Sequence, residues 1–77
     1  MKTGHATATA QKWDAQALAA YARAEHNARV CRRLLALHKL ALGHSVGQAA
    51  HACLMSVSQI YKWINRYETQ GLQGLRD

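Results

Sequence analysis

Apolar residues recur along this chain with the period of helices. The strongest pattern runs from Ala28 to Leu42, where Val30, Leu34, Leu37 and Ala41 stand at i, i+4, i+7 and i+11, widened by Leu35 and Leu42. Arg29, Arg32, Arg33 and Lys39 fall mainly on its other faces, and Gly43 follows as a C′ stop. A short helix is predicted from about Val46 to Cys53, with Val46, Ala49, Ala50 and Cys53 facing inward. A longer one is predicted from about Val57 to Thr69, its stripe formed by Ile60, Trp63, Ile64 and Tyr67. Upstream, Ala15 to about His26 is alanine-rich and weakly amphipathic through Leu18, Tyr21 and Ala22, and Asn27 is expected to break it. Gly71 ends the last helix, after which Leu72 and Leu75 are expected to fold back onto the core.

The start signals sharpen this division. Asp14 reads as an N-cap, with Trp13 and Leu18 at staple spacing around it. Ser45-Val46-Gly47-Gln48 and Ser56-Val57-Ser58-Gln59 are two capping boxes, and Met55 with Ile60 forms a second staple. Two starts so close allow a short helix, a tight turn and a longer helix. That is the arithmetic of a helix-turn-helix over about residues 45–69, whose second helix can lie in a DNA major groove. On that helix Ser58, Tyr61, Lys62, Asn65 and Arg66 lie wholly or partly on the outward arc, while Trp63 is expected in the core. Early residues, Ser56, Ser58 and Gln59, are placed to meet base edges; Lys62, Arg66 and the patch Arg29, Arg32 and Arg33 are placed to meet phosphates, with Tyr61 offering its hydroxyl. Gln59 cannot fully serve both as a cap and as a reader of adenine.

Charge supports a polyanionic partner. The chain carries a net +6 with a pI near 9.9, and residues 28–77 hold seven of its ten lysines and arginines. A basic membrane-surface helix would instead be one long amphipathic element. Its 77 residues make one small domain, and abundant alanine without proline favours helices. Residues 1–12 are small and polar and read as a disordered tail, with a minor-groove arm as the functional option; residues 13–77 read as the folded domain. No apolar run approaches the ~20 residues that span a bilayer, and no secretion signal is present, so a cytoplasmic, nucleoid-associated protein is expected. Cys31 and Cys53 lack CxxC spacing and, with His38, His44 and His51, match no zinc pattern. No metal, cofactor or small-molecule substrate is implied. A catalytic centre is not expected either, because no carboxylate pair, activated nucleophile or phosphate loop is present.

The chain resembles the N-terminal helix-turn-helix domain of bacterial insertion-sequence transposases related to the mariner group. The resemblance covers roughly residues 28–77. It rests on Gly43, Ser45, Val46, Ala50, Ser56, Tyr61, Trp63, Arg66, Tyr67, Gly71, Leu72, Gly74, Leu75 and Asp77, with Ile60 and Lys62 as conservative replacements. It implies an all-α, homeodomain-like bundle of about four helices that recognises the ends of a mobile element. Two departures stand out. Leu54 occupies the position of the turn glycine and Met55 that of a valine, so the turn is expected to be strained or to take another form. The catalytic domain of such transposases coordinates metal with three spaced carboxylates, whereas here Asp14, Glu25, Glu68 and Asp77 are scattered, so this chain alone is not expected to cut DNA.

The expected function is therefore sequence-specific binding of double-stranded DNA. A small stand-alone transcriptional regulator, acting as a homodimer, is the alternative within that class. A module that offers its basic face to an acidic protein is the alternative outside it.

Overall fold

The computed structural model describes residue 10 and residues 12–76. These form helices α1 (Ala15–Ala24), α2 (Ala28–Ala41), α3 (Val46–Cys53) and α4 (Val57–Gln70), followed by a 3-10 turn, Gly71–Leu75. There is no strand among the described residues, and the fold is the expected all-α bundle. The remainder of the expected tail lies outside the described residues. Ala10 is buried, and its carbonyl accepts the Trp13 N–H at 3.0 Å.

Each helix begins where a side chain can take up its first amides. The Asp14 carboxylate accepts from Ala17 N–H at 3.1 Å. Asn27 does more than end α1. Its side-chain oxygen accepts from the N–H groups of Arg29 and Val30, which makes it the N-cap of α2, and Glu25 in turn accepts the Asn27 N–H. Helix α2 starts at Ala28 as expected, but Glu25 and the α2 cap Asn27 are both extended, so α1 stops at Ala24, two residues short of the expected end. Both serine boxes close in each direction. Ser45 Oγ accepts from Gln48 N–H and Gln48 Oε1 from Ser45 N–H, and Ser56 and Gln59 repeat the exchange.

Helix α2 is the centre of the bundle, packing on α1, α3, α4 and the 3-10 turn. Val30, Leu34, Leu37 and Leu40 are buried along it, together with Ala36 and Arg33. The expected stripe holds at Val30, Leu34 and Leu37, with Ala41 partly buried, but its flank differs: Leu35 and Leu42 are exposed, and Arg33, Ala36 and Leu40 are covered instead. The reason is tertiary, since a helix with neighbours on several sides buries more than one seam. Leu18 of α1, Ile60 of α4 and Leu75 of the turn complete the tightest part of the core.

Helix α2 ends in a Schellman arrangement. Gly43, at φ +102°, gives its N–H to Leu40, and His44 N–H reaches back to Lys39. Helix α3 ends in the same way, with leucine in the glycine's place. Leu54 stands at φ +57°, ψ +45°, its N–H directed to His51 and that of Met55 to Ala50. Of the two outcomes expected for this turn, strain is the one observed, and the turn keeps the form a glycine would give it. At the end of α4, Gly71 takes φ +68°, ψ −152°, a region open essentially to glycine alone. Leu75 then tucks fully inside, whereas Leu72 remains exposed. A Cβ on Gly74 would stand 2.3 Å from the Arg66 carbonyl oxygen, so only glycine lets the 3-10 turn lie this close to α4.

Two contacts fasten α1 to the far end of the chain. The Trp13 ring meets Tyr67 edge-to-face at 5.0 Å and its N–H donates to Glu68. Glu25 forms a forked ion pair with Arg76, whose hydrogen bonds, aided by the Asn27 N–H, hold the Glu25 carboxyl below its ordinary value of 4.5. That support is complete above about pH 4.5 and is lost as acid protonates the carboxylate.

Because the Leu54 side chain is 84% exposed, its removal forfeits little burial. Leu54→Gly is expected to raise stability by about 1 kcal/mol through relief of the left-handed backbone, measured as a higher urea midpoint at unchanged m-value. A lower midpoint would mean that leucine is unstrained there.

Candidate nucleic-acid interface

The outward face of α4 follows from its period. Ser58, Lys62 and Asn65 stand at spacings of four and three, and all three are exposed; Thr69 extends the same stripe. The Thr69 hydroxyl donates to the Asn65 carbonyl at 2.9 Å. Tyr61, 49% exposed, flanks the stripe on one side. Arg66 flanks it on the other and is only partly exposed, its Nε buried with no hydrogen-bond partner.

Beside the first turn of α4 lies an open cleft of about 290 Å³, lined by Arg29, Arg32 and Arg33 of α2, Leu54 and Met55 of the turn, and Gln59 and Trp63 of α4. The fold thus brings two groups of sequence-predicted residues together across the helix-turn-helix. Arg29 and Arg32 are exposed. The N-terminal amides of α4 add the positive end of a helix dipole to the same region.

Ser56 and Gln59 are occupied in the cap: Ser56 Oγ accepts the Gln59 N–H at 3.1 Å, and Gln59 Oε1 accepts the Ser56 N–H at 3.0 Å. For Gln59 the competition between capping and base reading is settled in favour of the cap in this structure. Reading adenine with both ends of its amide would cost that bond.

Arg33 departs most from the expected pattern. It is buried, donates from Nη1 to the Leu75 carbonyl at 2.7 Å, and lays its guanidinium 3.9 Å over the Trp63 ring. A guanidinium suits this place because its planar fork stacks on an aromatic face while its edge reaches a carbonyl. Lys62 Nζ lies 4.8 Å from the same ring and the Arg66 guanidinium 5.5 Å. Trp63 is in the core, as expected, and gathers three cations around its indole. That role does not follow from the sequence, in which Lys62 and Arg66 stand close to the tryptophan but Arg33 lies thirty positions before it.

The remaining candidates for chemistry serve packing. The Cys31 thiol donates to the Ala22 carbonyl at 3.4 Å. Burial pushes the Cys53 thiol up, against the opposing pull of Lys39 and Arg32. His38 donates from Nδ1 to the Ala15 carbonyl at 3.0 Å, joining α2 to the first turn of α1; the acceptor, being a carbonyl, places the proton on that nitrogen. Among the described residues no three of His, Cys, Asp and Glu converge on a common point, and no helix is long and apolar enough to cross a membrane.

Removing Arg33 should therefore weaken the fold more than removing its neighbour. Arg33→Met is expected to cost about 2 kcal/mol, through the Leu75 carbonyl and the Trp63 face. Arg32→Met should stay within about 0.5 kcal/mol. Equal losses in chemical denaturation would show that Arg33 has no special structural part.

Residues 33–77, more than half of the chain, match the family described as winged helix-turn helix. No curated protein and no solved structure matches. The matched stretch takes in most of α2, all of α3 and α4, and the 3-10 turn; what the family's description calls a wing has no strand to represent it among the described residues. The chain belongs to the winged helix-turn helix family and carries a helix-turn-helix DNA-binding domain.

Proposed function

We propose that this protein binds double-stranded DNA sequence-specifically, with α4 in the major groove. The observation that carries the reading is the cleft that sets Arg29 and Arg32 beside the first turn of α4. Phosphates entering there meet two guanidiniums and the positive end of a helix. Ser58 and Asn65 then face base edges, Lys62 and Arg66 reach the phosphates further along, and Tyr61 contributes its hydroxyl. Arg33 acts on DNA indirectly, by holding Trp63 and hence the face of α4. Ser56 and Gln59 fix the helix start, so their contribution is to position the backbone amides. The resemblance to insertion-sequence transposases supports recognition of mobile-element ends as the biological setting, with DNA cleavage left to a separate catalytic domain.

Salt dependence tests the phosphate part. Log affinity should fall against log salt with a slope of about −3 to −6, from roughly four to six phosphate contacts. Combining Lys62→Ala with Arg32→Ala should flatten that slope by about 2 and weaken retention of every duplex alike. A salt-insensitive interaction would remove the basis for the assignment.

A second reading, a dimeric regulator, is favoured by one observation. Leu35 and Leu42 are exposed on the side of α2 away from Arg29 and Arg33, where with Ala19, Arg23 and His38 they line two shallow grooves. A two-fold partner seated there would leave both α4 helices open to successive half-sites. Sedimentation separates the readings: a dimer at micromolar concentration, dispersed by Leu35→Lys, is expected of the regulator, and a monomer leaves that reading without support.

A further inference from the structure

We propose that Leu54 is a specificity-determining residue that reads the 5-methyl group of a thymine, an inference that rests on the major-groove placement of α4. Three observations converge on it. Its backbone is left-handed, and among the described residues it is the only non-glycine residue with positive φ. Its side chain is 84% exposed, so it gives the core almost nothing in return for that strain. Its neighbour Met55 makes the core contact instead. Strain without packing, next to a binding surface, is the pattern of a residue kept for what it touches outside the chain.

The place of the side chain says what it touches. Leu54 stands on the rim of the cleft that holds Arg29, Arg32 and Gln59, and Val57, 46% exposed, continues the apolar surface onto the first turn of α4. An isobutyl group can neither donate nor accept a hydrogen bond. On the edges of base pairs in the major groove, the group that rewards apolar contact is the thymine methyl. Wedging between base steps is a minor-groove device and does not suit a residue carried by the turn before a major-groove helix.

The test uses deoxyuridine, which pairs as thymidine does but lacks the methyl. A preferred duplex is first selected from a random pool with the full chain, and each thymine in it is then replaced by deoxyuridine in turn. At one position the replacement should weaken binding by the unaltered protein about fourfold, the value of one buried methyl. Leu54→Ala and Leu54→Gly should bind the thymine and deoxyuridine duplexes equally, and about as well as the unaltered protein binds the deoxyuridine one. Leu54→Ala keeps the left-handed strain while removing the isobutyl group, so its agreement with Leu54→Gly assigns the effect to the side chain. Indifference of the unaltered protein to every replacement overturns the proposal. So does discrimination that survives in Leu54→Ala and is lost only in Leu54→Gly. Failure to retain any duplex overturns the DNA reading itself, and this is seen at the selection step before any thymine is replaced.

Discussion

The fold turns on one buried cation. The Arg33 guanidinium lies between the Trp63 indole and the Leu75 carbonyl, so a single side chain from the central helix holds α4 and the 3-10 turn that follows it. Its charge is stabilised by the aromatic face and by a carbonyl dipole in place of water. Gly74 serves the same junction from the other side, since only the absence of a Cβ lets the 3-10 turn approach the Arg66 carbonyl. What faces outward on α4 is set by what this junction pulls inward.

The same junction shapes the electrostatics of the surface. With Lys62 and Arg66 also drawn around Trp63, three of the chain's ten lysine and arginine side chains gather about one ring. The negative face of the indole eases their mutual repulsion. Positive charge from α2 and α4 is thereby gathered about one ring of α4.

Much of the architecture was legible in the sequence because its signals are local. The caps at Asp14, Ser45 and Ser56 and the stop at Gly43 depend on neighbours within a few positions, and the burial of Ile60, Trp63 and Ile64 is signalled by their helical spacing. What could not be read depends on partners distant in the chain. Periodicity placed Leu35 and Leu42 on the apolar seam of α2, but the packing of α1, α3 and α4 decides which flanks of that seam are covered, and it covers Ala36 and Leu40 instead. Arg33 was grouped with Arg29 and Arg32 because charge is a poor guide to burial; the aromatic ring that justifies its burial lies thirty positions further on. Asn27 was read as a breaker when its chemistry equally suits a starter, and the side-chain bonds it makes select the latter. Within the candidate interface, the cap at Ser56 and Gln59, the interior place of Trp63 and the outward place of Ser58, Lys62 and Asn65 are legible from local spacing, and the interior place of Arg33 is not.

In the turn between α3 and α4, three consecutive amides have assigned acceptors: Leu54 gives its N–H to His51, Met55 to Ala50 and Ser56 to the Gln59 side chain. Every one of these bonds closes within five positions, so the form of the turn is encoded in a short stretch, while packing on α2 holds the helices on either side of it. For association this means that the loss of freedom at the turn is incurred on folding and not again at encounter. A partner that meets α4 therefore encounters a turn whose amides are already bonded, and ordering that turn takes nothing from the free energy of contact.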